Sequence, residues 1–368
     1  RDLLRSSISY YWRTNVAVVL GVATAVAVLA GALLVGDSVR GSLRDLVLQR
    51  LGRTDHAILS SGFFREALAD DLRADEAFGP SFASISPLIV VQGGVSEQAS
   101  GRRASRVVVY GVDERFWRFH GLPGAPGPFG LDGRDALISR ALASEIGAAA
   151  DATVLVRLER PSAIPIESLH GRREDVGRSL RLTVRGVLGP ESLGEFSLQP
   201  QQGEVRAIFV PLRRLQQDLD LAGRVNTLLV ADLASADLIK SAPLSDLVRR
   251  RAALEDLELT LRPIESRHEL ALESAAGVMD DKRAAAAEKA AEVSAMQAKP
   301  VFTYLANTLR SGDRQVPYSL VTATDLGSIA SVPAVVAGSS ARPPIVLNDW
   351  TARDLRVGPG DPLTLEYF

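Results

Sequence analysis

The residues from Thr14 to Gly36 read TNVAVVLGVATAVAVLAGALLVG, a charge-free run that has no second instance in the chain. As a helix rising about 1.5 Å per residue it spans roughly 34 Å, enough to cross a hydrocarbon layer of about 30 Å. Tyr10, Tyr11 and Trp12 stand just before it, where amphipathic rings favour the membrane–water interface. The pattern predicts a membrane helix over residues 15–36. A cleaved secretory leader is the rival reading, with Arg1, Arg5 and Arg13 as its basic region and Ala30-Gly31-Ala32 as its small-residue cleavage site. Length favours the anchor, because the apolar run continues past that site through Leu33, Leu34 and Val35. Basic residues flank both ends, so the positive-inside rule assigns no orientation; long domains translocate largely regardless of charge.

Beyond the span, Val39, Leu43, Leu46, Val47 and Leu51 keep helical spacing, with Arg40, Arg44, Asp45 and Arg50 around the rest of the turn and Gly52 as a stop signal. Two readings fit. Either the membrane helix runs on as a stalk over 37–53, or a separate short helix follows a break at Gly36. Ala23, Ala27 and Gly31 form a small-residue stripe at four-residue spacing, which would let a partner helix approach closely.

The remainder alternates strand and helix patterns. Strands are expected at Ala57–Ser60, Leu88–Gln92, Val107–Val112, Ala136–Ser139, Thr153–Leu158, Leu180–Leu188, Ala207–Val210 and Thr227–Ala231, with Glu258–Arg262 extended. Helices are expected at Phe64–Leu72 and Arg140–Ile146, from Pro211 through Leu219, at Ser245–Leu254 and over Asp280–Ala298. Loops fall at Gly121–Gly130 and Pro190–Gly203. The fold class is α+β: one N-terminal transmembrane helix, then a mixed α/β extracytoplasmic region. Within that region an internal duplication is expected, from Pro87 to about Arg157 and again from Pro300 to about Tyr367. Each copy opens with Pro and an apolar run, then carries Ser-Gly-x-Arg, at Ser100–Arg103 and Ser311–Arg314. Each continues with a strand ending in Asp (Asp113, Asp325) and then strand, helix, turn, strand, at a nearly constant offset.

Composition excludes several functions. A net charge of −2 gives no basic footprint for nucleic acid. The absence of cysteine rules out disulfides, thiolate metal sites and a cysteine nucleophile. The only Lys-Ser pair, Lys240-Ser241, follows Ile239 where a phosphate loop needs Gly. Gly121, Gly124 and Gly127 have the wrong spacing for a dinucleotide loop. His56, His120, His170 and His268 are not spaced as metal ligands and are expected at the surface or in loops. Asp280-Asp281 reads as a solvated helix start, Glu174-Asp175 as a loop, and Asp113 and Asp325 as turn caps. No catalytic, cofactor or metal site emerges.

The residues also carry a resemblance. A basic N-terminal segment, one membrane helix ending GDSVRGSL, GVDERFW at Gly111–Trp117 and DALISRALASEIGA at Asp135–Ala148 followed by a strand resemble the permease subunits of ABC transporters in the MacB/FtsX-like class. The resemblance covers the N-terminal helix and the first outer domain; the second copy joins only through the repeat. It implies a cytoplasmic-side amphipathic segment over 1–14 with Leu3, Leu4, Ile8 and Trp12 toward lipid, and a transmembrane helix over 15–36. It further implies a helical stalk over 37–53, a first periplasmic domain over 54–262, a linker and helix over 263–299 and a second, truncated segment over 300–368. It implies a non-enzymatic permease in the cell membrane, with ATP bound by a separate cytoplasmic ABC ATPase subunit. Other partners would be a second permease copy or homologue and the lipid bilayer. In that family three further membrane helices follow the periplasmic domain. Here no second span occurs by Phe368, the outer region is longer, and the chain starts at Arg1 and stops in LTLEYF, so a fragment of a longer chain is expected. The other class is a membrane-anchored sensor or binding module; a secreted hydrolase is disfavoured by the missing catalytic grouping.

Overall fold

The computed structural model describes residues 6–7, 9–122, 133–158, 178–234, 243–326 and 343–367. They fall into two compact units, the first ending at Leu257 and the second beginning at Glu258.

The first unit starts with α1 (Trp12–Leu51), an unbroken helix of 40 residues. The break weighed at Gly36 does not occur. One helical glycine costs only about 1 kcal/mol, too little to interrupt a long cooperative helix. After Gly52 come β1 (His56–Arg65), α2 (Leu68–Arg73), β2 (Phe82–Glu97), β3 (Arg103–Val112), α3 (Glu114–Phe119), β4 (Asp135–Ser139), α4 (Arg140–Ile146) and β5 (Thr153–Leu158). Then follow β6 (Arg178–Leu188), β7 (Ala207–Pro211), α5 (Leu212–Asp218), β8 (Arg224–Asp232) and α6 (Leu244–Arg251). The strands form one sheet in the order β1-β8-β2-β3-β7-β4-β6-β5. The first half of β2 pairs with β8 and its second half with β3 and β5. Pairing with β5 begins at Gly93, where a Cβ would sit 2.5 Å from the Arg157 carbonyl oxygen, so only glycine lets β5 approach.

Alternation along the strands feeds a core on each face. Val107 and Val109 enter an aliphatic core with Leu72, Ile89, Leu142, Ile146 and Leu215. Tyr110 and Val112 enter an aromatic core with Phe116, Trp117, Phe196 and Phe209. The helix expected at Phe64–Leu72 begins only at Leu68, because Phe63 and Phe64 belong to β1 and are buried there, Phe64 opposite Val225.

The second unit holds β9 (Leu259–Ile264), β10 (Glu269–Ser274), α7 (Asp281–Val293), β11 (Phe302–Ser311), β12 (Arg314–Ala323), α8 (Asp349–Leu355) and β13 (Thr364–Glu366). β9 and β10 make an antiparallel hairpin. A domain boundary at 262 would cut it, so the division lies earlier, at Leu257–Glu258. α7 stops at Val293, short of the expected Ala298, where Ala295 turns left-handed at φ 55°. The remaining strands form a sheet in the order β12-β11-β13, with α8 supplying Leu355 to a small core of Leu309 and Val316.

Candidate functional site

α1 is long and apolar enough to cross a membrane, with a mean hydropathy of 2.7 over its most apolar 18-residue window and 0% of that window buried. The expected interface residues Tyr10, Tyr11 and Trp12 are exposed. The Tyr10 and Tyr11 rings meet edge-on at 4.9 Å, and the Arg13 guanidinium lies 5.5 Å from the Trp12 ring centroid. Ala23, Ala27 and Gly31 are exposed along α1. Residues 1–5 and Ile8 of the expected surface segment lie outside the described residues, as do His170, Glu174-Asp175, Lys240-Ser241, Gly124 and Gly127.

The other end of α1 is built differently. Arg50 is its single buried residue. The Arg50 Nη2 donates to Glu195 Oε2 at 2.9 Å and to the Gly203 carbonyl at 2.9 Å, while Nη1 donates to the Gln201 carbonyl at 2.5 Å. In return the Arg50 carbonyl accepts from the Ser197 backbone N–H at 3.3 Å. A guanidinium suits this place because its rigid fork serves several acceptors at once.

The chain then turns at Gly52, with φ 59° and ψ −122°. A Cβ there would stand 2.6 Å from His120 Nδ1 and 3.1 Å from Leu193 Cδ2. The Arg53 backbone N–H donates to that same Nδ1 at 3.2 Å, so His120 is neutral with its proton on Nε2. His120 lies in the turn after α3, in keeping with the loop expectation, but not at the surface. Instead it is buried, with its ring 4.7 Å from Phe116, 4.8 Å from Phe119 and 5.3 Å from Phe196. Burial, aided by the Arg53 charge, pushes its pKa down to about 3. Among the described residues its Nε2 has no hydrogen-bond partner.

From this root the contacts run inward. Phe196 follows Glu195 directly, and its carbonyl accepts from the Tyr110 hydroxyl at 2.9 Å. Tyr110 stacks on Phe209 at 5.1 Å. On the sheet side, the Asp55 N–H donates to the Val230 carbonyl at 3.1 Å and His56 Nε2 lies 2.8 Å from Asp232 Oδ1. The membrane helix thus ends in a joint tied both to the aromatic core and to the β1–β8 edge. Glu195 and His120 lie far from α1 in sequence, and only the Gly52 stop signal hinted at the joint.

Two of the expected caps, Asp113 and Asp280, are where the sequence put them. Asp113 accepts from the Arg115 N–H at 2.8 Å and Asp280 from the Arg283 N–H at 2.9 Å, each starting a helix. Among the described residues no group of three or more His, Asp or Glu is arranged to hold a metal ion.

Residues 16–242 match the family model of the MacB-like periplasmic core domain. The structure is similar to the periplasmic region of MacB from Actinobacillus actinomycetemcomitans, at 12% identity and a TM-score of 0.35, over 66% of this chain and 95% of that one. It is also similar to the extracellular domain of the noncanonic ABC-type transporter YknZ from Gram-positive bacteria, at 10% identity and a TM-score of 0.35, over 53% of this chain and 92% of that one. No curated protein sequence matches the chain.

Proposed function

This chain belongs to the MacB-like periplasmic core domain family, and we propose that it is the permease component of an ABC transporter that works by moving its outer domains. The apolar helix anchors it in the cell membrane, with the bulk on the periplasmic or extracellular side. ATP would be bound and hydrolysed by a separate cytoplasmic subunit. Residues 1–14 would lie along the cytoplasmic membrane surface, 15–36 would span, and 37–53 would serve as the stalk. Ala23, Ala27 and Gly31 would face a helix of a second permease copy or homologue, because small residues allow close approach in lipid. The outer region would then change its contacts and export or extract a substrate.

One observation carries this reading: α1 passes without a break from its apolar window to a buried arginine clamped by the outer domain. A tether needs only a flexible link, whereas a joint that fixes both position and angle transmits displacement.

The test is co-purification from membranes of the full chain with an ABC ATPase encoded beside it, followed by ATPase assay in nanodiscs. The expected result is a stable complex whose hydrolysis rate changes when Arg50 is replaced. Absence of any ATPase partner, with the outer domains folded, would replace the transport reading with an anchored sensor or binding module.

A further inference from the structure

The family match ends at residue 242, yet the second unit carries a hairpin, a short helix and a strand in the same order as a part of the first, although the strand expected before that helix is not formed at residues 343–348. We infer that residues 300–367 are a second copy of the hairpin–helix–strand module at residues 87–158, so that the chain carries two modules of the core-domain kind.

The helices correspond residue by residue. α4 starts at Ser139, whose Oγ accepts from the Leu142 N–H at 3.2 Å, and α8 starts at Asn348, whose Oδ1 accepts from the Thr351 N–H at 2.8 Å. Both helices are 7 residues long and end in a left-handed residue, Gly147 at φ 69° and Arg356 at φ 55°. Leu142 and Ile146 are buried in α4, and Thr351 and Leu355, at the same positions, in α8. The next turn is again left-handed in both, at Asp151 (φ 65°) and Gly360 (φ 95°). One unchanging offset links all these pairs, and it carries on to Val154 with Leu363 and Val156 with Leu365, which belong to the respective cores.

The strand pairing agrees independently. β5 pairs antiparallel with β2, placing Val156 opposite Val95, and Val95 lies opposite Ala104 across the hairpin. β13 pairs antiparallel with β11, placing Leu365 opposite Leu309, and Leu309 lies opposite Val316 across the hairpin. Two residues beyond Ala104, Arg106 has φ 53°; two beyond Val316, Tyr318 has φ 53°. Left-handed non-glycine residues are uncommon, a few per cent overall, so a match inside a strand is not a generic property of hairpins. The spacing from Arg106 to Tyr318 is that from Asp113 to Asp325. The hairpin tips differ in length, 98–102 against 312–313, so the offset differs across them. The module needs no transport role to exist.

Because the correspondence is free of gaps from Ser139 to Leu158, it allows an exchange at equal length. In the full chain, residues 348–367 are replaced by residues 139–158, and in a control by 140–159, which displaces every core position by one. Cooperative unfolding of the second unit and amide-exchange protection of β11 are then measured. The expected result is retention of both in the in-frame exchange and loss in the displaced one. Equal behaviour of the two chimeras, folded or unfolded, overturns the inference, as does survival of the displaced one alone.

Discussion

The Arg50 guanidinium lies 2.9 Å from the Glu195 carboxylate, with side-chain exposures of 6% and 32%. The pair joins the last turn of the membrane helix to the loop that carries Phe196 into the aromatic core. An ion pair open to solvent only on its carboxylate side contributes modestly by itself. Here the same guanidinium also satisfies the Gln201 and Gly203 carbonyls, and that shared use makes the joint stiff.

Replacing Arg50 by Ala removes all of these bonds and is expected to cost about 1–3 kcal/mol. Arg50→Lys should recover only part, since an ammonium lacks the planar fork. In a double-mutant cycle with Glu195→Ala, followed by chemical denaturation, the two effects should be less than additive. Strict additivity would mean that the contact carries no coupling.

Two glycines of the helix and its exit should respond in opposite directions. Gly52→Ala places a Cβ 2.6 Å from His120 Nδ1 at a φ of 59°, so a loss of about 1–3 kcal/mol is expected. At Gly36 nothing lies within 4 Å, so Gly36→Ala should raise helix stability by up to about 1 kcal/mol. Circular dichroism on heating, in detergent micelles, reads both. Equal tolerance at the two positions would deny that Gly52 is shaped by its neighbours.

The pH dependence follows from His120. Its folded pKa is about 3, below the roughly 6.5 of an unfolded chain. The unfolded state therefore takes up the proton first, and the stabilisation from keeping the ring neutral is present above about 6.5 and lost as pH falls toward 3. His120→Gln keeps an acceptor for the Arg53 N–H and does not titrate. Its stability curve should be flatter than wild type between about pH 6 and 4. Asp75, held at about 2 by the Ala77 N–H and by Arg251 and Arg250, acts at lower pH, and its contribution is lost as pH falls through that value. Parallel curves for wild type and His120→Gln would contradict the buried neutral histidine.

How much of this was legible in the sequence depended on range. Ala136–Ser139, Arg140–Ile146 and Thr153–Leu158 could be read because cap, apolar spacing and stop signal lie within one short window. Phe64 departs from the helix its sequence suggests because the helical pattern belongs to the residues from Leu68 onward, while its partner, Val225, lies in β8. The β9–β10 hairpin was half missed: Leu259 and Leu261 alternate, as do Leu270 and Leu272, but most of its positions are exposed and signal little. Of the joint only the Gly52 stop signal was legible, since Glu195 and His120, which Arg50 and Gly52 meet, lie far from α1 in sequence.

Within the bilayer, the small-residue stripe leads to the last prediction. Ala27→Leu preserves hydrophobicity but fills the stripe, whereas Ala27→Asp also places a charge in lipid, at a cost of about 2.5–3.5 kcal/mol. If the chain acts on an ATPase subunit as proposed and the stripe packs against a partner helix, both variants should weaken the resulting change in ATPase rate, while unfolding of the outer domains stays as in wild type. Ala23→Leu should behave like Ala27→Leu, and Val18→Leu, on the opposite side of the helix, should not. Loss in the aspartate variant alone would trace the effect to insertion. Unchanged stimulation in both leucine variants would remove Ala23, Ala27 and Gly31 from the coupling path and leave Arg50 as its nearest defined element.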